Sequence, residues 1–388
     1  MLSFPPSGLR FRRGHYFHNI LVFLAQCEKL HPLSLIAGVF LAICAAGMLW
    51  PAYGATASII AIAAMGTEAA IIVRTWFTFS SPSPFNGPFF AFAIGHVPAT
   101  ALIVLVPLSP GVLLTIHVFV QAGLLGAMVW ASAIEPFRVT LRSTEMFSDK
   151  INGECRVLVI SDLHLDRFGR REEKTLEIAR QFTPHLIAMP GDFTNLSFVG
   201  DALTRIQTRE FVRELCKTAP VFAALGTPEV DAKWWISSIL QDTCARLLHN
   251  ESENVRINGN DFHVMGVTFQ GTEEEQVEQL KKLATQNPGL PSMLLLHSPD
   301  LFEAAASAGV DLYIAGHTHG GQVRFPPLGA IYTASRFGNK YAHGTFNIKD
   351  MTMVVSRGIG LEGAGAPRLR FCCPPEVVGI TIKGRLTH

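Results

Sequence analysis

The sequence predicts an α/β sheet domain preceded by an all-α membrane domain, and three observations carry that prediction. Charge is unevenly spread: the chain has 32 Lys+Arg and 31 Asp+Glu, yet between residues 30 and 134 the only formal charges are Glu68 and Arg74. From about residue 151 short β-branched runs alternate with helix-length amphipathic segments, which is how an α/β sheet reads. Carboxylates and imidazoles recur where those runs end.

The nearly uncharged segment cannot form an aqueous surface and belongs in a bilayer. Four stretches approach the ~20 apolar residues a hydrocarbon core requires: 33 to 50, 56 to 73, 89 to 107 and 111 to 134, separated by the turn-like PAYG, SSPSPFNGP and SPG. The expected organisation is therefore an N-terminal segment (1–32), a four-helix membrane domain (33–134), a linker (135–154) and a soluble domain (155–388). Arg10, Arg12, Arg13 and Lys29 precede the first span, Arg74 follows the second, and Arg138, Arg142 and Lys150 follow the fourth. The positive-inside bias then puts both ends in the cytoplasm, with the chain multi-pass in the inner membrane. Reading Arg12 and Arg13 as an export signal fails, because an export peptide has one short apolar region.

Glu68, His96, His117 and Gln121 are polar residues within the spans, open to a transport role or to hydrogen bonding between helices. The seven cysteines contain no CxxC and read as unpaired thiols in a reducing compartment. A net charge of +1 gives no reason to expect a nucleic-acid partner.

In the soluble half, strands are expected at 156–160, 185–189, 220–225, 261–267, 292–297 and 311–316. Helices should fill 172–182, 200–217, 231–241, 273–286 and 299–308, with short strands after 320 closing a second sheet. Ligands of open α/β sheets gather at the carboxyl ends of strands, where loops converge. There the sequence places Asp162 and His164 (SDLH), Asp192 (GD), His297, and His317 and His319 (GHTH). Mixed imidazole and carboxylate suits Zn, Fe or Mn better than Ca or Mg. Six such groups exceed one four-coordinate site, which points to two divalent transition-metal ions sharing a carboxylate. Two ions ~3.5 to 4 Å apart activate water and clamp phosphoryl oxygens, so the substrate expected is a phosphorylated molecule.

The order ISDLHLD, PGDF, LLLHSPD, GHTHGGQV, with YAHG, SRGIG and CCPPEVVGITI beyond it, resembles the calcineurin-like metallophosphoesterases, in particular a membrane-anchored bacterial branch. The resemblance covers about residues 155 to 383 and implies a four-layer αββα sandwich with a dinuclear site at one edge. It implies that Asp162, His164 and His319 hold the first metal, that Asp192 bridges, and that His297 and His317 hold the second. The four spans lie outside it.

One stretch departs from the pattern. Where the family has GNH followed by Asp or Glu, this chain has Gly226, Thr227, Pro228 and Glu229. The family's Asn supplies a metal oxygen and its His assists the phosphoryl group; Thr is a poor substitute and Pro offers no donor. Thr227 and Glu229 join Asp192 and His317 as the catalytic candidates. Three readings follow: a hydrolase with a weakened second site, a site rebuilt by Asp231, His249 or His343, or a metal-holding module that binds a phosphorylated ligand without turnover. Arg324, Arg336, His343 and Arg357 are candidates for binding substrate phosphate. Trp234 and Trp235 are expected on a helix, facing the core or the bilayer surface. The membrane domain itself motivates a lipid-linked substrate.

Overall fold

The computed structural model describes residues 108–361 and 368–384, with a few isolated positions before them. Apart from those positions, residues 1–32, the first three expected spans, and Glu68 and His96 within them lie outside the described residues. The chain divides into two units, Met1–Glu135 with Gly363–Leu369, and Pro136–Glu362 with Arg370–His388.

In the first unit, α1 (Pro110–Val129) starts with Ser109 as cap and proline in its first turn, where the missing N–H is harmless. It continues through the helical turns Trp130–Ile134 and Glu135–Phe137. Among the described residues, Gly111–Phe137 alone is long and apolar enough to cross a membrane, with a mean hydropathy of 2.0. It coincides with the fourth expected span. Of that span's polar residues, His117 and Gln121 are buried.

The second unit is built on two mixed six-stranded sheets. The first runs in the order β1 (Thr140–Ser148), β14 (Glu376–Gly384), β2 (Glu154–Val159), β3 (Leu186–Met189), β4 (Val221–Ala223), β5 (Arg246–Leu247). The second runs β12 (Gly344–Ile348), β13 (Met351–Val355), β9 (Leu312–Ala315), β8 (Ser292–Leu295), β7 (Asn260–Gly266), β6 (Glu251–Ile257). β3 and β9 are buried at every position, as strands covered on both faces must be.

Three apolar clusters define four layers. Val157, Leu186 and Val378 of the first sheet meet Met293, Leu312 and Val354 of the second, so the sheets pack face to face. Helices α2 (Arg170–Phe182), α3 (Ala202–Cys216) and α4 (Lys233–Leu240) cover the outer face of the first sheet through Ile178, Phe211 and Ile236. On the outer face of the second, α5 (Glu273–Ala284) and α6 (Phe302–Ser307) contribute Leu280, Leu283 and Phe302. Truncating a fully buried residue of the central layer such as Leu295 to Ala would cost ~2–5 kcal/mol. Helix ends are specified locally: Thr272 and Glu275 form a reciprocal capping box on α5, and Asp201 accepts from the Thr204 N–H on α3, interactions worth about 1 kcal/mol each.

Three sequence expectations change. Residues 135–154, read as a linker, contribute β1, paired in parallel with β14 from Thr140↔Glu376 to Ser148↔Gly384. Not every strand after 320 joins the second sheet: β10 (Arg324–Phe325) and β11 (Gly329–Ala330) form a separate hairpin, and β14 enters the first sheet beside β2. Cys216 and Cys244 form a disulfide. The end of α3 and the loop before β5 bring their Cα atoms to 5.7 Å, inside the span a disulfide bridges. Disulfides persist in oxidising compartments, so the cysteines do not support a reducing one.

Candidate metal centre

β2, β3 and β4 are parallel neighbours in the first sheet, and β8 and β9 in the second. Their carboxyl ends therefore meet along one edge of the sandwich. Asp162 and His164 follow β2, Asp192 follows β3, Thr227 follows β4, His297 follows β8, and His317 and His319 follow β9.

Five of these residues have left-handed backbones: Asp162 (φ 48°), His164 (38°), Asp192 (57°), His317 (70°) and His319 (50°). Side chains two apart on a strand point to the same face but lie a full pleat apart; the left-handed turns fold DLH back so that Asp162 and His164 join one group, and divide HTH so that His317 and His319 serve one group each. Non-glycine residues adopt this conformation at an energetic cost and cluster where function requires it. Glycines provide the clearance: a Cβ on Gly226 would run into the Asp192 carboxylate, and one on Gly316 into that of Asp162.

The six side chains form two groups. Asp162, His164 and His319 make one, and Asp192, His297 and His317 the other; within each, the ligand atoms lie within 4.8 Å of one another. Asp192 stands between the groups, its Oδ2 3.4 Å from His164 Nε2 and 3.2 Å from His297 Nε2. His164 and His319 bring their Nε2 atoms to 3.1 Å. All are buried except His317, which is half-buried.

Three features fit a cation. His297 Nδ1 faces the Pro190 carbonyl at 3.1 Å; a carbonyl only accepts, so Nδ1 carries a proton and the inward Nε2 is the atom that would take an ion on losing its own. Among the described residues, buried Asp162 Oδ2 has no hydrogen-bond partner, a costly state that coordination would relieve. Burial alone would raise the Asp192 pKa, but His297 and His164 hold it well below the usual carboxylate range, and burial opposed by Asp192 and Asp162 leaves His297 pushed up to about 9. Asp192 thus stays ionised where a cation would sit, whereas burial raises the Asp162 pKa.

The GTPE turn is resolved differently from expectation. Thr227 donates from its N–H to Asp192 Oδ1 at 2.7 Å and from its hydroxyl to Oδ2 at 3.1 Å, so it orients the carboxylate. Pro228 and Glu229 are exposed. The carboxylate that frames the turn is Asp231: buried, it accepts the N–H groups of Asp192 (2.6 Å), Phe193 (3.0 Å) and Gly226 (2.9 Å). Being committed to backbone, it does not rebuild the metal site. His249 lies beside Thr268, 3.5 Å away, outside both groups.

The phosphate candidates divide. Arg324 donates to the Gly320 carbonyl at 2.8 Å, the Arg357 side chain borders Gly320, and Thr318 donates to the Ala342 carbonyl beside His343. All three therefore adjoin the GHTH turn. Burial, then Arg357, Arg324 and Arg142, push the His343 pKa down to about 4. Arg336 is instead held by Glu273 at 2.6 Å and by Asp300. Sequence reading missed Arg142, which with Arg357 flanks buried Glu376, and Phe269, whose ring lies 4.8 Å from that of His317. It also missed Arg370, fully buried and donating to the carbonyls of Arg357, Gly358 and Gly360, next to the strand end that presents His319.

Residues 155–321 match the family model described as calcineurin-like phosphoesterase. The chain carries a calcineurin-like metallophosphoesterase domain. Phosphodiesterase YaeI of Escherichia coli is 26% identical over 235 residues, covering 57% of this chain and 80% of that protein. An uncharacterized metallophosphoesterase of Aquifex aeolicus is 28% identical over 279 residues, 68% of this chain and 98% of its own length. The UDP-2,3-diacylglucosamine pyrophosphatase LpxG of Chlamydia trachomatis is 30% identical over 147 residues, covering 36% of this chain and 42% of that protein. Metallophosphoesterases of this family use divalent metals, and the two ligand groups lie in or beside the matched segment.

Proposed function

We propose that the chain is a membrane-associated hydrolase of phosphoester or phosphoanhydride bonds, working with two divalent transition-metal ions. The observation that carries the proposal is the convergence of six metal-competent side chains from β2, β3, β8 and β9 into two groups, buried but for His317, that meet at Asp192. Asp162, His164 and His319 would hold one ion and His297 and His317 the other, with Asp192 between them. Ions held there supply Lewis-acid polarisation and a nucleophile at neutral pH. Thr227 fixes the Asp192 carboxylate through two hydrogen bonds. Arg324, Arg357 and neutral His343 form a cationic margin for the phosphoryl oxygens.

A second ion would have three protein groups, because the Thr227 hydroxyl is turned to Asp192, and would be held the more weakly. The substrate class we infer is a lipid-linked phosphate or pyrophosphate. The apolar segment supports that inference, as does the relative acting on a diacylglucosamine nucleotide. A four-span anchor with both ends cytoplasmic is what the charge bias supports; the disulfide favours the opposite face for the domain.

Metal stoichiometry on the purified chain, with turnover of an aryl phosphate, tests the proposal. About two ions per chain and loss of turnover in Asp192→Asn are expected. Fully metallated chain that turns over no member of a broad phosphoester panel would leave a binding module, the reading favoured by exposed Pro228 standing where the family has histidine.

A further inference from the structure

The exposed large apolar side chains of the second unit are not scattered. Apart from Leu141 and Phe147 on β1, those among the described residues all sit on segments that follow the carboxyl ends of strands bearing the site. Leu203 (47% exposed) opens α3 after β3, and Trp234 (67%) opens α4 after β4. Trp235, its buried neighbour, donates to Thr194 Oγ1 at 3.0 Å, which fixes this corner two residues from Asp192. On the other flank, the β10–β11 hairpin and the strand after it expose Phe325, Leu328 (82%), Ile331 (62%) and Tyr332. This hairpin is seated on the GHTH turn: a Cβ on Gly321 would meet Ala330 and the Tyr332 carbonyl, and Arg324 donates to Gly320.

Apolar surface gathered around one opening marks an interaction face. Its chemistry selects the occupant. From Gly321 to Ser335 there is no acidic residue, and the single charge is Arg324. On this hairpin a Tyr lies among aliphatic side chains with one cation and no carboxylate, the composition of a surface that enters the headgroup region of an anionic bilayer. The chain also brings a bilayer within reach, since its apolar stretch ends at Phe137 and β1 begins at Thr140.

We propose that the rim formed by Leu203, Trp234 and the hairpin of Phe325, Leu328, Ile331 and Tyr332 docks onto the membrane surface, so that the metal centre opens towards lipid. This rests on the membrane-associated reading above and names the face that meets the bilayer.

The test uses the full chain reconstituted in vesicles of phosphatidylcholine and phosphatidylglycerol. Leu328→Cys and Phe147→Cys, each labelled with an environment-sensitive fluorophore, are compared against the identically labelled unsubstituted chain as background. β1 runs antiparallel to β2, so Phe147 marks the end of the sandwich away from the site. The label at position 328 should be quenched several-fold more by nitroxide-bearing acyl chains than the label at 147, and shielded from aqueous iodide. Equal iodide access at both positions, or shielding at 328 from both quenchers as a protein partner or second copy would give, overturns the proposal. Quenching needs no catalysis, so lipid contact without turnover would count against the hydrolase reading and leave the docking face standing.

Discussion

Asp231→Asn isolates what holds the metal centre in shape. The Asp231 carboxylate accepts three buried N–H groups, two on Oδ2 from Asp192 and Gly226 and one on Oδ1 from Phe193. An asparagine keeps one oxygen, which can serve the first pair, and turns an amide N–H towards Phe193. One buried donor is then orphaned, at about 1–3 kcal/mol, and above about pH 7, to which burial and Asp192 push the Asp231 carboxyl up, the remaining bonds also lose charge assistance. A total of roughly 2–3 kcal/mol corresponds, for a domain of this size, to a melting temperature lower by about 4–12 °C. Asp231→Ala orphans three donors and removes a large share of the ~5–15 kcal/mol that holds a domain folded. Glu229→Gln, at the exposed position that sequence alone favours, should stay within about 0.5 kcal/mol. The assay is calorimetry on the three variants and parent, with metal content measured in parallel. Asp231→Asn should also lose metal preferentially from the His297 and His317 group, since the affected loops carry Asp192 and Gly226. If Asp231→Asn melts with the parent while Glu229→Gln does not, the frame has been assigned to the wrong carboxylate.

Replacing Thr227→Asn together with Pro228→His should raise occupancy of the second metal and increase turnover of aryl phosphate; unchanged values in both would mean that the GTPE turn does not limit the site. His343 should titrate near 4 in the free protein and higher with inorganic phosphate bound, because the anion offsets the arginines; a midpoint near the ordinary ~6.5, indifferent to phosphate, contradicts the cationic margin. The sign for stability follows: a histidine depressed in the fold but not in the unfolded chain leaves stability intact above about 6.5 and erodes it as pH falls towards 4, which His343→Gln should flatten. The disulfide closes a loop with a sequence separation of 28, for which chain entropy gives about 3–4 kcal/mol. Cys216→Ser with Cys244→Ser should therefore melt roughly 6–16 °C lower, and the pair should be oxidised in chain alkylated directly from cells; a fully reduced pair would restore the cytoplasmic placement.

The parts of the fold legible in the sequence are those whose signal is local. Buried strands such as LIAM and LYIA announce themselves by apolar runs, and the metal ligands by lying immediately after them. β1 and β6 were not visible because TLRSTEMFS and ESENVRI are largely exposed edge strands with charges along them, the composition that protects an edge and that also describes a loop. The destination of β14 could not be read either, since a strand of alternating Val and Ile fits any sheet. Within the site, spacing exposed the ligands carried by strand ends but not residues supplied by tertiary approach, Arg142 and Arg370, which come from segments distant in the chain; Phe269, just past the end of β7, offers no ligand atom and so left no signal. Glu229 was favoured over Asp231 because a motif fixes positions by count, whereas a carboxylate is chosen in the fold by which loop N–H groups it can reach. Cys216 and Cys244 paired for the same reason, since proximity between the end of a helix and a later loop leaves no mark on cysteine spacing.

The left-handed backbones of five ligands bear on the order of events during folding. At about 1–2 kcal/mol each, these conformations are not populated together in a free chain, and no glycine can relieve them where a side chain is required. They are imposed by strands already paired on both sides. These turns therefore depend on the closed sandwich, and an ion bound there would enter a finished cradle instead of gathering the chain around itself. In small zinc modules the ion is the nucleus of the fold; here it would be the last component installed, and a chelator should leave an idle domain that is still folded.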